Sequence, residues 1–245
     1  MIKFLLILLC LFGTAFAGTR DPNTPDEKYI EYGKKYKYVL KLSTKMKDEK
    51  NAFGSAVAIG SNWLLTAAHV VEGTHDPYVV VDNKKYEIDK FTIPEDFNDN
   101  FGYYDIAVCH TKEDMKLGFY PELYENNDEV GKIVGISGWG ITGTFTKGRD
   151  KESNEFIRRA GSNKVDNIDR HLLICSPSMS GKTELEFLIA HGDSGGGLFI
   201  NQKLAGINSC VIATDKKPNS SYGDESGHTR ISVHRKWILD VIKNH

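Results

Sequence analysis

From Lys35 onward the chain is a succession of short apolar runs, rich in Val, Ile, Phe and Tyr and broken by Gly, Asn and Pro. Segments such as "PYVVVD", "YEIDKFTI", "DIAVCHT", "HLLICS" and "KLAGINSCVIA" have the length of strands and are too short for bundle helices. Their β-branched and aromatic content suits a pleated, half-buried surface. Gly60, Ser61 and Asn62 split the apolar runs of "GSAVAIGSNWLLTAAHVV", which predicts a hairpin. Helical spacing occurs once, near the end: Val233, Trp237 and Val241 recur every four residues, with Ile238 and Ile242 beside them. The expectation is an all-β, closed or sandwiched architecture with a C-terminal helix. Residues 18–34 are polar and carry Pro22 and Pro25, so they read as an irregular N-terminal arm ahead of a domain over 35–245. The long polar, glycine-rich stretch from Gly140 to Val165 reads as a surface connection between two lobes, with their boundary near 140–160.

Lys3, an apolar run from Phe4 to Phe12 and the small-residue pattern Ala15-Phe16-Ala17 have the form of a signal peptide over residues 1–17, with Gly18 first after the cut. The run is too short to span a bilayer. A secreted protein, extracellular or periplasmic, follows, with no membrane span after cleavage. The formal net charge of -2 gives no reason to expect a nucleic-acid partner. There is no Cys-x-x-Cys and no His/Cys group at zinc spacing, so neither metal nor cofactor is expected. Cys10 leaves with the leader, and Cys109, Cys175 and Cys210 remain. Cysteines of secreted chains usually pair, and Cys175 with Cys210 is the bridge considered; Cys109, inside "IAVC", reads as a buried apolar group.

Three local motifs carry chemistry. Ser194 lies in "GDSGGG", where flanking glycines permit unusual φ/ψ and let a substrate backbone approach. Consecutive N–H groups around Gly192, Asp193 and Ser194 can converge on one point, and apolar "LIA" and "LFI" on either side argue against a flexible linker. His69 follows two alanines in "LLTAAHV", at a strand end, and Asp105 leads into the strand "IAV". Taken singly, the histidine reads equally as one satisfying a nearby carbonyl and the aspartate as a cap. Serine acyl chemistry needs a base, a carboxylate that orients it and backbone donors for an oxyanion.

In the order His, Asp, Ser, the motifs "TAAHV", "DIAV" and "GDSGGG" resemble the chymotrypsin/trypsin-like serine protease family. "SGWG" at 137–140, "LAGINS" at 204–209 and "HTRISVHRKWI" at 228–238 add to the resemblance, which runs from about residue 35 to the end. It implies two six-stranded β-barrels packed side by side with a C-terminal helix. It implies an endopeptidase acting on proteins or peptides and open to protease inhibitors. His69 would be general base and then acid, Asp105 its orienting carboxylate and Ser194 the nucleophile. Gly192 and Ser194 would supply the oxyanion-hole N–H groups, and Ser209 would hydrogen-bond toward the aspartate and the substrate backbone.

The chain departs from the family pattern in ways that bear on stability, activation and specificity. Val70 follows His69 where a cysteine is common, Ala190 replaces another, and Gly197 stands where proline is familiar. The loss of these bridges points away from vertebrate digestive trypsins and toward a bacterial or otherwise divergent secreted branch. No stretch resembles the IVGG of an activated N-terminus, so Asp193 lacks an obvious partner. Either signal cleavage frees a Gly18 amine that reaches inward, or Asp193 pairs elsewhere. A non-catalytic binding or regulatory protein on the same scaffold is the alternative these departures raise. By the resemblance, Leu188 stands at the base of the substrate pocket, followed by Ile189 and Ala190, with Cys210 and Val211 opposite and Ser226 on the far side. His191 borders the leaving-group side. An apolar floor leaves a buried ammonium unpaired, so the expectation is an apolar, medium aliphatic P1 residue. Glu184 and Glu186 would make the pocket acidic if the alignment slipped by a residue or two, and His228 would serve a Glu-specific site.

Overall fold

The computed structural model describes residues 18–98, 102–150 and 156–245, so the predicted leader over 1–17 lies outside the described residues. Strand β1 (Thr19–Arg20) and helix α1 (Asp26–Gly33) open the fold. Six strands follow: β2 (Val39–Lys45), β3 (Asn51–Ala58), β4 (Trp63–Thr66), β5 (His75–Val81), β6 (Lys84–Thr92) and β7 (Ala107–Thr111), with the one-turn helix α2 (Ala68–Val71) after β4. They close into a barrel in the order β2-β3-β4-β7-β6-β5. The hairpin read at Gly60–Asn62 joins β3 to β4, where Val57 pairs with Leu65 and Ala58 with Leu64. Leu42, Leu64, Val79 and Val108 fill this barrel and are fully buried.

The second lobe contains β8 (Ile133–Gly138), β9 (Gly143–Thr144), β10 (Gly148–Arg149), β11 (Arg159–Lys164), β12 (Asn167–Asp169), β13 (Leu172–Cys175), β14 (Phe187–Leu188), β15 (Gly197–Ile200), β16 (Lys203–Ala213) and β17 (Asp224–Arg230). Here the expectation of two six-stranded barrels is corrected. Seven strands form an open sheet, β11-β8-β15-β16-β17-β13-β12, and β10-β9-β1-β14 form a separate four-stranded sheet. Closure would require β11 to find a long partner beyond its free edge. Among the described residues that edge meets one bridge, Ser162 to Glu186; the chain between β13 and β14 is a polar loop, and β14 pairs with β1. That loop is tied by Lys182, whose Nζ lies 2.7 Å from Asp166, and by Glu186, which accepts the N–H groups of Ser178 and Lys182.

Residues 18–34, expected as an irregular arm, are structured. Their polar composition conceals one buried anchor, Tyr29, which packs on Phe187 at a centroid distance of 6.2 Å. Asp26, in the first helical turn, binds Arg159 through two bonds of 2.8 and 2.7 Å. The C-terminal helix appears as α3 (Ile231–Lys243), with Ile231, His234 and Ile238 buried and Trp237 packed partly against the barrel core. Ile238, Trp237, Val241 and Ile242 pack on the core as the spacing predicts, whereas Val233 is exposed and Ile231 and His234 take the inner positions of the first turn. Among the described residues no disulfide joins Cys109, Cys175 or Cys210, so the Cys175–Cys210 bridge is corrected as well. Cys175 pairs with Ser226 and Cys210 with Gly227, on opposite sides of β17. Two strand spacings, about 10 Å, exceed the reach of a disulfide. Cys109 is buried as expected, and burial pushes its thiol up to about 12. Among the described residues no helix is long and apolar enough to cross a membrane.

Candidate active site

The site forms where α2, the start of β7, the turn before β15 and the middle of β16 meet. Ala67 is extended and Ala68 opens the single turn that carries His69; both alanines are fully buried, leaving the imidazole 30% exposed. The His69 ring Nδ1 lies 2.7 Å from Asp105 Oδ2, and the His69 N–H donates to Oδ1 at 3.0 Å. The Ser209 hydroxyl donates to Oδ2 at 2.6 Å, and Thr229 Oγ1 donates to the Asp105 carbonyl at 2.9 Å. Burial alone would raise the Asp105 pKa. The facing His69 and the hydrogen bonds from His69 and Ser209 outweigh it and hold the carboxyl below the ordinary aspartate value. Tyr104, immediately before it, sits at φ +55°, an unusual conformation for a bulky residue that turns the chain into the strand.

The loop around Ser194 is held by backbone hydrogen bonds. Ser55 N–H donates to the Ser194 carbonyl at 2.8 Å, and Gly195 N–H donates to Asn208 O at 2.8 Å. Gly195 has φ +84°, and a Cβ there would lie 2.1 Å from the Ser55 carbonyl, so only glycine fits. Gly192 also has positive φ. Among the described residues, neither the Gly192 N–H nor the Ser194 N–H donates to a backbone carbonyl in this loop. The Ser55 hydroxyl, which accepts the Trp139 N–H at 2.9 Å, donates to the Gly192 carbonyl at 2.9 Å.

Asp193 points away from the cleft and is fully buried. Its Oδ2 accepts the Ala190 N–H at 3.0 Å and its Oδ1 the Gly140 N–H at 3.1 Å. The Gly18 N–H is a third donor. Burial raises this carboxyl to about 7 despite those donors and the nearby Arg159 charge. A Cβ on Gly18 would sit 2.0 Å from the Phe187 ring, so the first residue after the predicted cut must be glycine to reach this position. Of the two partners considered for Asp193 in the sequence, Gly18 is the one placed beside it, and the signal for it was its position directly after Ala15-Phe16-Ala17.

The pocket residues divide. Leu188, Ile189 and Ala190 are buried beside the loop, and Leu188 pairs with Thr19 across β14 and β1. Cys210 and Val211 are partly exposed on β16, facing Gly227 and Ser226 across the ladder, and His191 is partly exposed beside Gly192. Ser226 is fully buried and turned inward: its hydroxyl lies 3.1 Å from the Cys175 carbonyl and 2.9 Å from His228 Nε2, two acceptors for its single proton. Glu186 is turned to the 178–182 backbone, where burial raises its pKa. Among the described residues, no group of three or more His, Cys, Asp or Glu is placed to hold a metal ion.

A family model described as Trypsin matches residues 30–238. Among curated proteins, a chymase of Papio hamadryas is 26% identical, over 97% of this chain and 96% of its own length. Serine protease SSP1 of Scolopendra subspinipes is 23% identical, over 86% of this chain and 81% of its own. An uncharacterized peptidase of Corynebacterium glutamicum (strain R) is 26% identical over 57% of this chain, and the match spans 50% of that relative's length. Among solved structures, HL collagenase superposes with a TM-score of 0.69 at 17% identity, over 85% of this chain and 94% of its own. A scabies mite inactivated protease paralogue, S-D1, gives 0.69 at 18% identity, over 86% and 94%.

Proposed function

This chain belongs to the trypsin family of serine proteases, matched over residues 30–238, and on that premise we propose that it is a secreted endopeptidase working through His69, Asp105 and Ser194. The observation that carries the reading is the Asp105 carboxylate, buried and bonded to His69 Nδ1 on one side and Ser209 on the other. A carboxylate so held keeps the proton on Nδ1 and leaves Nε2 as the base. Ser194 Oγ gives its proton to Nε2 and attacks the scissile carbonyl. The oxyanion is received by the Gly192 and Ser194 N–H groups. The imidazolium, stabilised by Asp105, then protonates the leaving amine, and water repeats the sequence to release the acid. No cofactor enters these steps.

The leader over 1–17 and the cut before Gly18 belong to the same reading. Cleavage there replaces the Gly18 amide by an ammonium beside Asp193, which adds a charge partner for the buried carboxylate to the nearby Arg159 charge. Substrates are proteins or peptides, with protein protease inhibitors as further partners. Leu188, Ile189 and Ala190 supply no counter-charge, which supports an apolar P1 residue, narrowed by Val211. Fluorophosphonate labelling of the chain starting at Gly18 tests the nucleophile: wild type is labelled and Ser194→Ala is not. Equal labelling removes Ser194 from the mechanism. A peptide library tests the pocket, and cleavage confined to sites after Lys or Arg refutes the apolar P1 assignment.

A further inference from the structure

Asn208 is fully buried beside the nucleophile loop, and every polar atom of its side chain is engaged. Its Nδ2 donates to two carbonyls, Ser137 O at 3.0 Å and Asp193 O at 3.1 Å. Carbonyls only accept, so this end of the amide must be the nitrogen, and Oδ1 must face His228 Nδ1 at 2.9 Å. Gly196 makes room for the amide: a Cβ there would stand 2.8 Å from Nδ2. The Asn208 backbone grips the same loop, accepting from Gly195 N–H and donating to Gly196 O, each at 2.8 Å.

The peptide linking Asp193 to Ser194 is a rigid plane with the Asp193 C=O on one edge and the Ser194 N–H on the other. Donors on the carbonyl edge therefore set the direction of the N–H. Two donors act there, the Gly196 N–H at 2.8 Å and Asn208 Nδ2. Given the proposed mechanism, the Ser194 N–H is an oxyanion donor whose value depends on its aim. We propose that Asn208 is a positioning residue for the oxyanion hole, holding the Asp193–Ser194 peptide so that the Ser194 N–H faces the reacting carbonyl oxygen, and that His228 in turn fixes the Asn208 amide.

His228 suits that task because it is fully buried and stays neutral: burial lowers its pKa to about 3. The neutral ring has one N–H. Asn208 Oδ1 requires it on Nδ1, and Nε2 then accepts from the Ser226 hydroxyl 2.9 Å away. A side-chain chain thus runs from Ser226 through His228 and Asn208 to the peptide of the nucleophile, without touching substrate. It also accounts for the inward turn of Ser226.

The test compares wild type with Asn208→Leu, which removes both donors at similar volume. Turnover is measured per titrated serine. Complete loss of one oxyanion donor lowers kcat by about 10²–10³-fold, so misaiming one is expected to lower it by about 10–100-fold, with KM within about twofold. Affinity for a peptide boronate, which forms a tetrahedral oxyanion adduct, should fall in parallel, while affinity for the matching uncleaved peptide amide should not. A residue that only supports folding would lower the melting temperature and the titratable fraction and leave kcat per titrated serine and the boronate-to-amide affinity ratio unchanged; that result overturns the role. If Asn208→Leu does not fold, His228→Phe frees the amide while keeping Asn208, and the same ratio should fall by about 3–10-fold, with no change overturning the role. An inert wild type, by contrast, overturns the proposed protease mechanism and this role with it.

Discussion

At the scale of the residue, the candidate site rests on a few hydrogen bonds of 2.6–3.0 Å around one carboxylate. Ser209→Ala removes the shortest of them. Burial of Asp105 is then opposed by fewer partners, its carboxyl shifts upward, and His69 is oriented less tightly. The expected outcome is a fall in kcat/KM of about tenfold, with the acid limb of the pH profile displaced to higher pH; an unchanged profile would show that Ser209 does not act through Asp105. Leu188→Asp is the matching experiment on the pocket. A carboxylate at the floor supplies the counter-charge an ammonium lacks there, so cleavage after aliphatic residues should drop by at least about tenfold and cleavage after Lys or Arg should rise. Absence of both changes would place Leu188 outside the pocket. As candidates, His69, Asp105 and Ser194 stand out in the sequence because each lies in a short motif, and the structure brings His69 and Asp105 into contact. Asn208 was not, since its carbonyl partners lie 71 and 15 residues away and an asparagine inside an apolar run reads as a strand interruption.

At the scale of the element, α1 shows why composition misleads. Tyr29 and Gly33 are its buried residues, so no apolar stripe announces it. It is held instead by Asp26 on Arg159, a guanidinium only 1% exposed. The Arg159 charge and its hydrogen bond overcome the burial that would raise Asp26, whose pKa is lowered. A lowered folded-state value stabilises above the ordinary carboxylate pKa of 3.8, and that stabilisation is lost as pH falls through the folded value. Arg159→Met should therefore destabilise by about 2–4 kcal/mol near neutral pH, discounted from a fully buried pair because Asp26 is partly exposed, and by less in acid. Urea denaturation at both pH values measures it, and an equal loss at each would separate Arg159 from Asp26. The open seven-stranded sheet carries the same lesson. Its strands were legible as apolar runs, but closure depends on whether β11 finds a partner, and the loop tied by Lys182 and Glu186 prevents that through contacts no run reveals.

At the scale of the whole molecule, the N-terminal strand, paired with β9 and β14, brings Gly18 to the nucleophile loop and to the ionisation of one acid. While Gly18 remains an amide, burial raises Asp193 to about 7 from an ordinary value of 3.8. An acid raised on folding stabilises fully below its unfolded value, and the contribution is lost as pH climbs through the folded value. The uncut chain should therefore lose stability between about pH 4 and 7, on the order of 4 kcal/mol at about 1.4 kcal/mol per pK unit. Once Gly18 carries a free ammonium, the carboxylate has a partner, its pKa falls, and that decline disappears. It is replaced by a loss at alkaline pH, where an α-amine of ordinary pKa near 8, shifted upward by the carboxylate, gives up its proton. Melting temperatures across pH 4–10 for a chain starting at Gly18 and one extended through Ala17 distinguish the two states. Diverging curves, with activity confined to the Gly18 chain and failing in alkali, are expected. Superimposable curves would mean that Asp193 does not sense the amine, and that the nucleophile loop is set by Ala190, Gly140 and Asn208 without it.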